Sequence, residues 1–198
     1  MKTKQVEELV LQSLEHEKGG VEVYTAAVAS AVNKDLKREW QEYLEQTRTH
    51  VTALQTICRS LDIDPKRETP GRGVVRGVGQ ALVDAIKKAK AAGDPAAAEL
   101  VACECVVLAE MKDHLDWELL GKCAEHLGGA QAKALKEAYD QIEEQEDEHL
   151  YHSKGWCREL WIQSLGMKAV LPPPEERQHV KTAIGAARAE QSAEKQRH

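Results

Sequence analysis

The chain has 198 residues, of which 42% are hydrophobic, and a formal net charge of −6 at pH 7. This length allows one domain with a sizeable core, and the negative charge gives no electrostatic basis for coating nucleic acid or an anionic membrane. No apolar run approaches the roughly 18 residues that a membrane span requires, and the N-terminus lacks the apolar segment of a signal peptide. We therefore predict a cytoplasmic protein that binds neither nucleic acid nor membrane.

The first predicted helix runs from about Lys4 to Val32 and has an apolar stripe at helical spacing. Glu17 is the acid in the middle of that stripe, which predicts that it faces the core. Gly19-Gly20 follows it. These glycines weaken the helix by about 1 kcal/mol each relative to alanine, and they allow a neighbouring helix to approach closely.

The second predicted helix runs from Leu36 to about Leu61, and His50 interrupts its apolar stripe, one turn after Thr47. The next segment, Asp62 to Gly79, is rich in Pro, Gly and Arg, which favours a looping connection. A short amphipathic helix from Gln80 to Ala92 follows. Together these segments are long enough to cross from one end of a helical bundle to the other.

The third long helix is predicted from Ala96 to about His126 and is the most apolar of the chain. Its polar residues include Glu110, Asp113 and His114, the last of which is a reserve candidate for metal binding. Gly128-Gly129 then ends the helix.

The fourth long helix continues to Gly166, and acids and a histidine interrupt its apolar stripe between Tyr139 and Leu160. The middle of the stripe is Glu146-x-x-His149, with Glu143 on its edge. A carboxylate among apolar contacts costs several kcal/mol unless it has a partner. A metal ion is one such partner, because this spacing on inward-facing helices is found in di-iron and di-manganese carboxylate proteins.

The order of these elements predicts an all-α, ferritin-like antiparallel four-helix bundle whose long crossover carries a short extra helix. We expect the bundle to occupy residues 1–168. We expect residues 169–198 to be a polar C-terminal tail that follows Pro172-Pro173-Pro174, and its last ~25 residues to form a loose helix or stay disordered.

The polar residues that interrupt the stripes fall at one level if the helices pack antiparallel. One explanation is a metal site, and the other is a metal-free, hydrogen-bonded polar layer in a structural or interaction protein. Arg and Lys are almost absent from these stripes, which favours the metal. The candidate ligands are Glu17, His50, Glu110, Asp113, Glu143, Glu146 and His149.

Carboxylate and imidazole ligands suit iron or manganese, and zinc remains open because geometry decides selectivity. The second helix has Thr47 where a Glu-x-x-His motif would place its glutamate. A bridging ligand is therefore missing, unless Glu45, Gln46 or Asp113 reaches the site.

Glu17 and three further segments carry a resemblance to a known family. The segments are YLEQTRTHVTAL at 43–54, EMKDHLDWELLGKCAEHLG at 110–128 and IEEQEDEHL at 142–150. With these motifs the chain resembles the bacterial stress-associated ferritin-like family of the YciE and YciF type, over roughly residues 14–165. The resemblance implies a ferritin-like bundle, usually dimeric, and a family pattern that tolerates Thr at position 47. It also implies that the following acids are available to metal: Glu17, Glu110, Asp113, Glu143 and Glu146.

We therefore expect a protein that binds one or two iron or manganese ions, and the resemblance implies that it is a dimer that serves stress protection or small-scale redox chemistry. An open metal position would react with a small oxidant, oxygen or peroxide. Whether the protein is an enzyme is left open by the sequence. The contrasting hypothesis is a metal-free ferritin-like structural or interaction protein.

Overall fold

The computed structural model describes residues 3–197, and within them every regular element is a helix, so the all-α prediction is confirmed. Met1, Lys2 and His198, which the predicted domain and tail include, lie outside the described residues. The helices are α1 (Thr3–Ser30), α2 (Lys34–Ser60), α3 (Pro70–Ala91), α4 (Pro95–His126), α5 (Gly129–Ser164), α6 (Pro174–Arg177) and α7 (Ala183–Arg197). None of the helices between Thr3 and Arg197 combines the length and apolar character that a membrane crossing needs.

Capping residues explain where three of these helices begin. The side chains of Asn33, Thr69 and Asp94 accept hydrogen bonds from backbone N–H groups in the first turns of α2, α3 and α4, respectively. Pro70 and Pro95 then occupy the first helical positions of α3 and α4, where the missing proline N–H is not needed. The local sequence therefore sets these helix starts.

The predicted connection from Asp62 to Gly79 is wrong in its second half, because α3 begins at Pro70 and runs for 22 residues. Packing explains the difference. A Cβ atom added to Gly79 would lie 3.6 Å from the Cα atom of Gly19, so the glycines let α1 and α3 approach closely. Tertiary contact thus outweighs the low helix propensity of this glycine-rich segment.

The four long helices pack in a ring, in which α1 contacts α2 and α4, and α5 also contacts α2 and α4. Hydrogen bonds join Tyr24 to Glu110 and Trp117 to Glu17, so α1 and α4 run antiparallel. The bonds between α2 and α5 show the same reversed order. Short connections make antiparallel pairs of α1 with α2 and of α4 with α5. Helix α3 packs on α1 and α4.

Two apolar clusters fill the ring, one towards each end of it. On α1, one cluster ends at Leu14 and the other begins at Val23. The other three long helices are interrupted in the same way, so a layer between the clusters is built from the polar residues that break each stripe.

The segment after α5 packs back onto that helix. Arg158 of α5 donates hydrogen bonds to Glu175, and Glu159 accepts bonds from Arg197 and from the backbone N–H of Val170. The tail therefore contains helices α6 and α7, which agrees with the helical alternative rather than the disordered one, and both contact α5.

Candidate metal centre

Polar side chains from all four long helices meet between the two apolar clusters. Helix α1 contributes Glu17, α2 contributes His50, α4 contributes Glu110, and α5 contributes Glu146 and His149. Each side chain is buried. The structure thus brings five of the seven predicted ligands together as one cluster.

These residues form two groups of three that share one carboxylate. Glu17, His50 and Glu146 make the first group, and Glu110, Glu146 and His149 make the second. Within each group, one ligand atom from every residue lies within 4.8 Å of the others. Because a carboxylate has two oxygens, Glu146 would be able to serve as a ligand in both groups.

Two glutamine side chains orient the histidines. The Nε2 atom of His50 lies 2.8 Å from Oε1 of Gln145, and Nε2 of His149 lies 2.6 Å from Oε1 of Gln46. An amide oxygen only accepts hydrogen bonds, so each Nε2 carries the hydrogen. In a neutral imidazole, Nδ1 then presents a lone pair, as a metal ligand does.

Both Nδ1 atoms face carboxylates. Nδ1 of His50 lies 2.9 Å from Glu146 and 3.3 Å from Glu17. Nδ1 of His149 lies 3.5 Å from Glu110 and 3.7 Å from Glu146. A lone pair and carboxylate oxygens repel each other at these distances, so either a proton or a metal cation between them stabilises the arrangement.

The two histidines differ in their affinity for that proton. Burial lowers the pKa of His50, but the carboxylates of Glu17 and Glu146 outweigh burial and raise the pKa to about 11. Burial dominates at His149 and lowers its pKa to about 4. Without a metal, His50 therefore holds a proton at neutral pH, whereas His149 keeps its lone pair.

Several polar atoms of the layer lack a hydrogen-bond partner within the part of the chain that the structure describes. Although His50 Nδ1 and Glu146 Oε1 are close, they are not in hydrogen-bond geometry. Buried polar atoms in native proteins are nearly always paired, so their concentration in one layer fits a cation. The unpartnered atoms are Glu17 Oε2, His50 Nδ1, Glu110 Oε2, Asp113 Oδ1 and both carboxylate oxygens of Glu146.

Two side chains that the sequence did not predict bind the outer carboxylates, which are those of Glu17 and Glu110 and belong to one ligand group each. The hydroxyl of Tyr24 donates to Glu110 at 2.8 Å, and the indole Nε1 of Trp117 donates to Glu17 at 2.7 Å. Burial raises the pKa of Glu110 to about 7 and that of Glu146 to about 6. A cation in the layer would therefore compete with protons on these carboxyl groups.

The remaining predicted ligands lie outside both groups. Asp113 is buried in the layer, and burial together with Glu146 raises the pKa of its carboxyl well above the usual range. Glu143 is exposed and accepts a hydrogen bond from Tyr139. Thr47 is buried, but its hydroxyl donates to the carbonyl oxygen of Tyr43.

The proposed substitutes for the missing bridging ligand have other positions. Glu45 is exposed on α2 and pairs with Arg48, whereas Gln46 binds His149 through its amide oxygen. Gln46 thus supports a ligand from outside the centre. The spacing of Gln46 four residues before His50 could have suggested a role near this layer, but only the packing of α2 on α5 assigns it to His149.

A second polar group continues from the layer along α2 and α5. The ring of Tyr43 lies 4.1 Å from that of His149, and its hydroxyl lies 3.0 Å from Nδ1 of His152. Glu39 accepts a hydrogen bond from Trp156 at 2.6 Å, and burial raises the pKa of Glu39 to about 8. His152 is thus buried and in contact with Tyr43 outside the centre.

Comparison of the chain with models of protein families, with curated proteins and with solved structures finds no match. The resemblance to the YciE and YciF type of family, like the ferritin-like type of bundle, therefore stays a prediction.

Proposed function

We propose that the protein is a ferritin-like carboxylate protein that binds two metal ions, iron or manganese, within its ring of helices. The observation that carries the proposal is the pair of buried ligand groups that share Glu146. Each group contains one imidazole with Nδ1 turned inward, one outer carboxylate and the shared carboxylate. Oxygen and imidazole ligands of this kind suit iron, manganese or zinc.

Three protein ligands per ion leave coordination positions open. Thr47 occupies the position where a Glu-x-x-His motif would place a second bridging glutamate. Its hydroxyl already donates a hydrogen bond to the backbone, so this position also leaves coordination sites open. Bound iron or manganese would supply electrons to oxygen or peroxide at such positions. This chemistry is compatible with a role in stress protection. The contribution of the protein would be to orient Glu17 and Glu110 and to keep the centre buried.

A metal-free polar layer is the competing function, and the proton on His50 would partly satisfy the carboxylates of Glu17 and Glu146. That proton leaves most of the unpartnered atoms unpaired, including Glu110 Oε2 and Asp113 Oδ1. Four buried carboxyl groups share the layer, and no Lys or Arg among residues 3–197 is within ion-pair distance of them. The metal-binding hypothesis therefore accounts for more of the buried charge.

Metal content of a graded set of variants tests the proposal. Protein purified without chelator should hold up to two ions per chain, one for each ligand group. Glu17→Gln and Glu110→Gln should each lower the content by about one ion, whereas Glu146→Gln should remove both. Elemental analysis by mass spectrometry measures this, with Glu143→Gln as the matched control outside both groups.

The melting temperatures of the same variants distinguish the metal centre from the metal-free polar layer. In a metal site, added manganese(II) should raise the melting temperature of the wild type, because an ion that binds only the folded protein stabilises it, and should leave that of Glu146→Gln unchanged. In a metal-free polar layer, the substitution should cost about 1–3 kcal/mol. Background metal in every variant, together with a lower melting temperature for Glu146→Gln, would refute the metal centre.

We also propose a homodimer, supported by an exposed apolar stripe on α4. Leu108, Met111, Leu115 and Leu119 recur at three- and four-residue spacing on this helix, and their exposed fractions are 58%, 57%, 47% and 41%. A stripe of this kind on an isolated chain is typical of an interaction surface. Antiparallel pairing of α4 with its copy would cover the stripe.

A further inference from the structure

A polar cavity of about 430 Å³ opens beside the proposed metal centre. Its walls come from α4, α5 and the two residues before α7. Glu146, the carboxylate shared by both ligand groups, lies in its wall. Because other wall residues, such as Glu118 and Glu143, are exposed, the cavity joins the centre to the surface.

Three carboxylates of α5 in the cavity wall become progressively more buried. Glu143 is exposed, Asp147 is half-buried and Glu146 is 1% exposed. Residues four positions apart lie on one face of a helix, so Glu143 and Asp147 are one turn apart. Glu118 adds an acid from α4 at the rim. The wall therefore has carboxylates at every depth, from the exposed rim of the cavity to the buried centre.

The innermost carboxylate is available to a cation. Neither oxygen of Glu146 has a hydrogen-bond partner among residues 3–197, although the side chain is buried. The outer two acids of α5, Glu143 and Asp147, have partners within the wall. Tyr139 donates a hydrogen bond to Glu143, and Nε2 of His114 lies 2.8 Å from Asp147.

The two lysines of the wall are directed to acids outside it. Lys181 lies 2.9 Å from Glu144 and 3.3 Å from Glu148, and Lys122 lies 3.2 Å from Glu125. Ion pairs neutralise these lysines locally. The cavity wall therefore keeps an acidic balance, which concentrates cations in a cleft with protein walls.

We propose that this cavity is the route by which divalent cations reach the metal centre, with Glu118 and Glu143 attracting the hydrated ion at the rim. The inference rests on the metal centre proposed above and adds how it is filled. It also gives Glu143 a role outside the centre, as a residue that guides ions without binding them in the final site.

The rate of cobalt(II) binding to metal-free protein, followed by visible absorption in a stopped-flow instrument, tests this route. The double variant Glu118→Gln/Glu143→Gln should bind cobalt about tenfold more slowly, the lower end of the range for charge focusing. Its final stoichiometry should equal that of the wild type. The rate difference should shrink as salt rises, because salt screens exposed charges.

The matched control is Glu137→Gln/Asp140→Asn, which removes two exposed charges from α5 outside the cavity. It should bind at the wild-type rate. Equal rates for both double variants, with wild-type stoichiometry, would overturn the route but leave the metal centre standing. A lower final stoichiometry would also overturn it, because the rim acids would then be ligands. Absence of cobalt binding by the wild type would refute the centre and the route together.

Discussion

At the scale of single residues, the two histidines of the centre differ in whether Nδ1 holds a proton at neutral pH. The carboxylates beside His50 raise its pKa to about 11, whereas burial lowers the pKa of His149 to about 4. A metal ion that binds His50 must therefore displace a proton at pH 7, but one that binds His149 finds the lone pair free. Metal binding by the two ligand groups should thus depend differently on pH.

We expect metal affinity to rise with pH, because His50 and the partly protonated Glu110 and Glu146 lose protons to the metal. Calorimetric titration with manganese(II) in buffers of different ionisation enthalpy measures the protons released. At pH 7, His50→Gln should release about one proton fewer than wild type, because glutamine carries no titratable proton. Both variants should bind one ion fewer than wild type. In His149→Gln, however, metal binding at the group that contains His50 should release as many protons as in the wild type. Equal release from His50→Gln and wild type would contradict this assignment.

At the scale of helices, Glu15 joins α1 to α3. Its carboxylate accepts bonds from Nε and Nη2 of Arg72, at 3.0 and 2.6 Å, and from Arg76. Burial raises the pKa of Glu15, but the two guanidinium groups outweigh it and lower the pKa below the usual value. The ionised carboxylate therefore stabilises the contact between the two helices.

We predict that Glu15→Gln lowers the free energy of unfolding by about 1–3 kcal/mol at pH 7, since a buried charged hydrogen bond is lost. Because the pKa is lowered in the folded protein, the contribution is present above the unfolded value of 4.5 and is lost as pH falls through the folded value. The difference from wild type should thus narrow below about pH 4.5. Urea unfolding over pH 3 to 7 checks this, with Glu22→Gln on the exposed face of α1 as control. A constant difference over that range would contradict the assignment.

The docking of the tail on α5 depends on Gly155. A Cβ atom at this position would lie 2.7 Å from Oε2 of Glu175 and 3.1 Å from Cβ of Pro173. Glu175 is buried and bound by Arg158, so it has little room to move.

We expect Gly155→Ala to destabilise the protein by about 1–3 kcal/mol, as overpacking does, and to increase hydrogen exchange in residues 170–180. Gly73→Ala is the contrasting control, because a Cβ atom there meets nothing within 4 Å. That change should stabilise α3 by about 0.4–1 kcal/mol. Unaltered exchange in the tail of Gly155→Ala would show that this contact does not hold the tail.

At the scale of the whole molecule, the apolar stripe on α4 predicts self-association. Leu115→Glu places a charge in the middle of that stripe and should convert a dimer into a monomer, because a buried unpaired carboxylate is costly. Size-exclusion chromatography with light scattering measures the mass. Ile184→Glu, at an exposed apolar residue of α7, should leave the mass unchanged. A wild-type protein that is monomeric at micromolar concentration would contradict the dimer.

The sequence by itself determined the helical class and most helix bounds, since helical periodicity, caps such as Asn33 and Asp94, and breakers such as Gly128 act locally. It also located the polar residues that interrupt each stripe, because the side that a residue takes on a helix depends only on its position along that helix. Glu17 and His50 could therefore be assigned to the interior from their places in the apolar stripes alone.

Only the tertiary structure decided which side chains meet across helices. It made Glu146 common to both ligand groups, gave the two histidines their glutamine partners, and moved Glu143 to the rim of a cavity. It also extended α3 through a glycine-rich segment that packs closely on Gly19. The register between helices results from contacts far apart in the chain, and no local pattern carries that information.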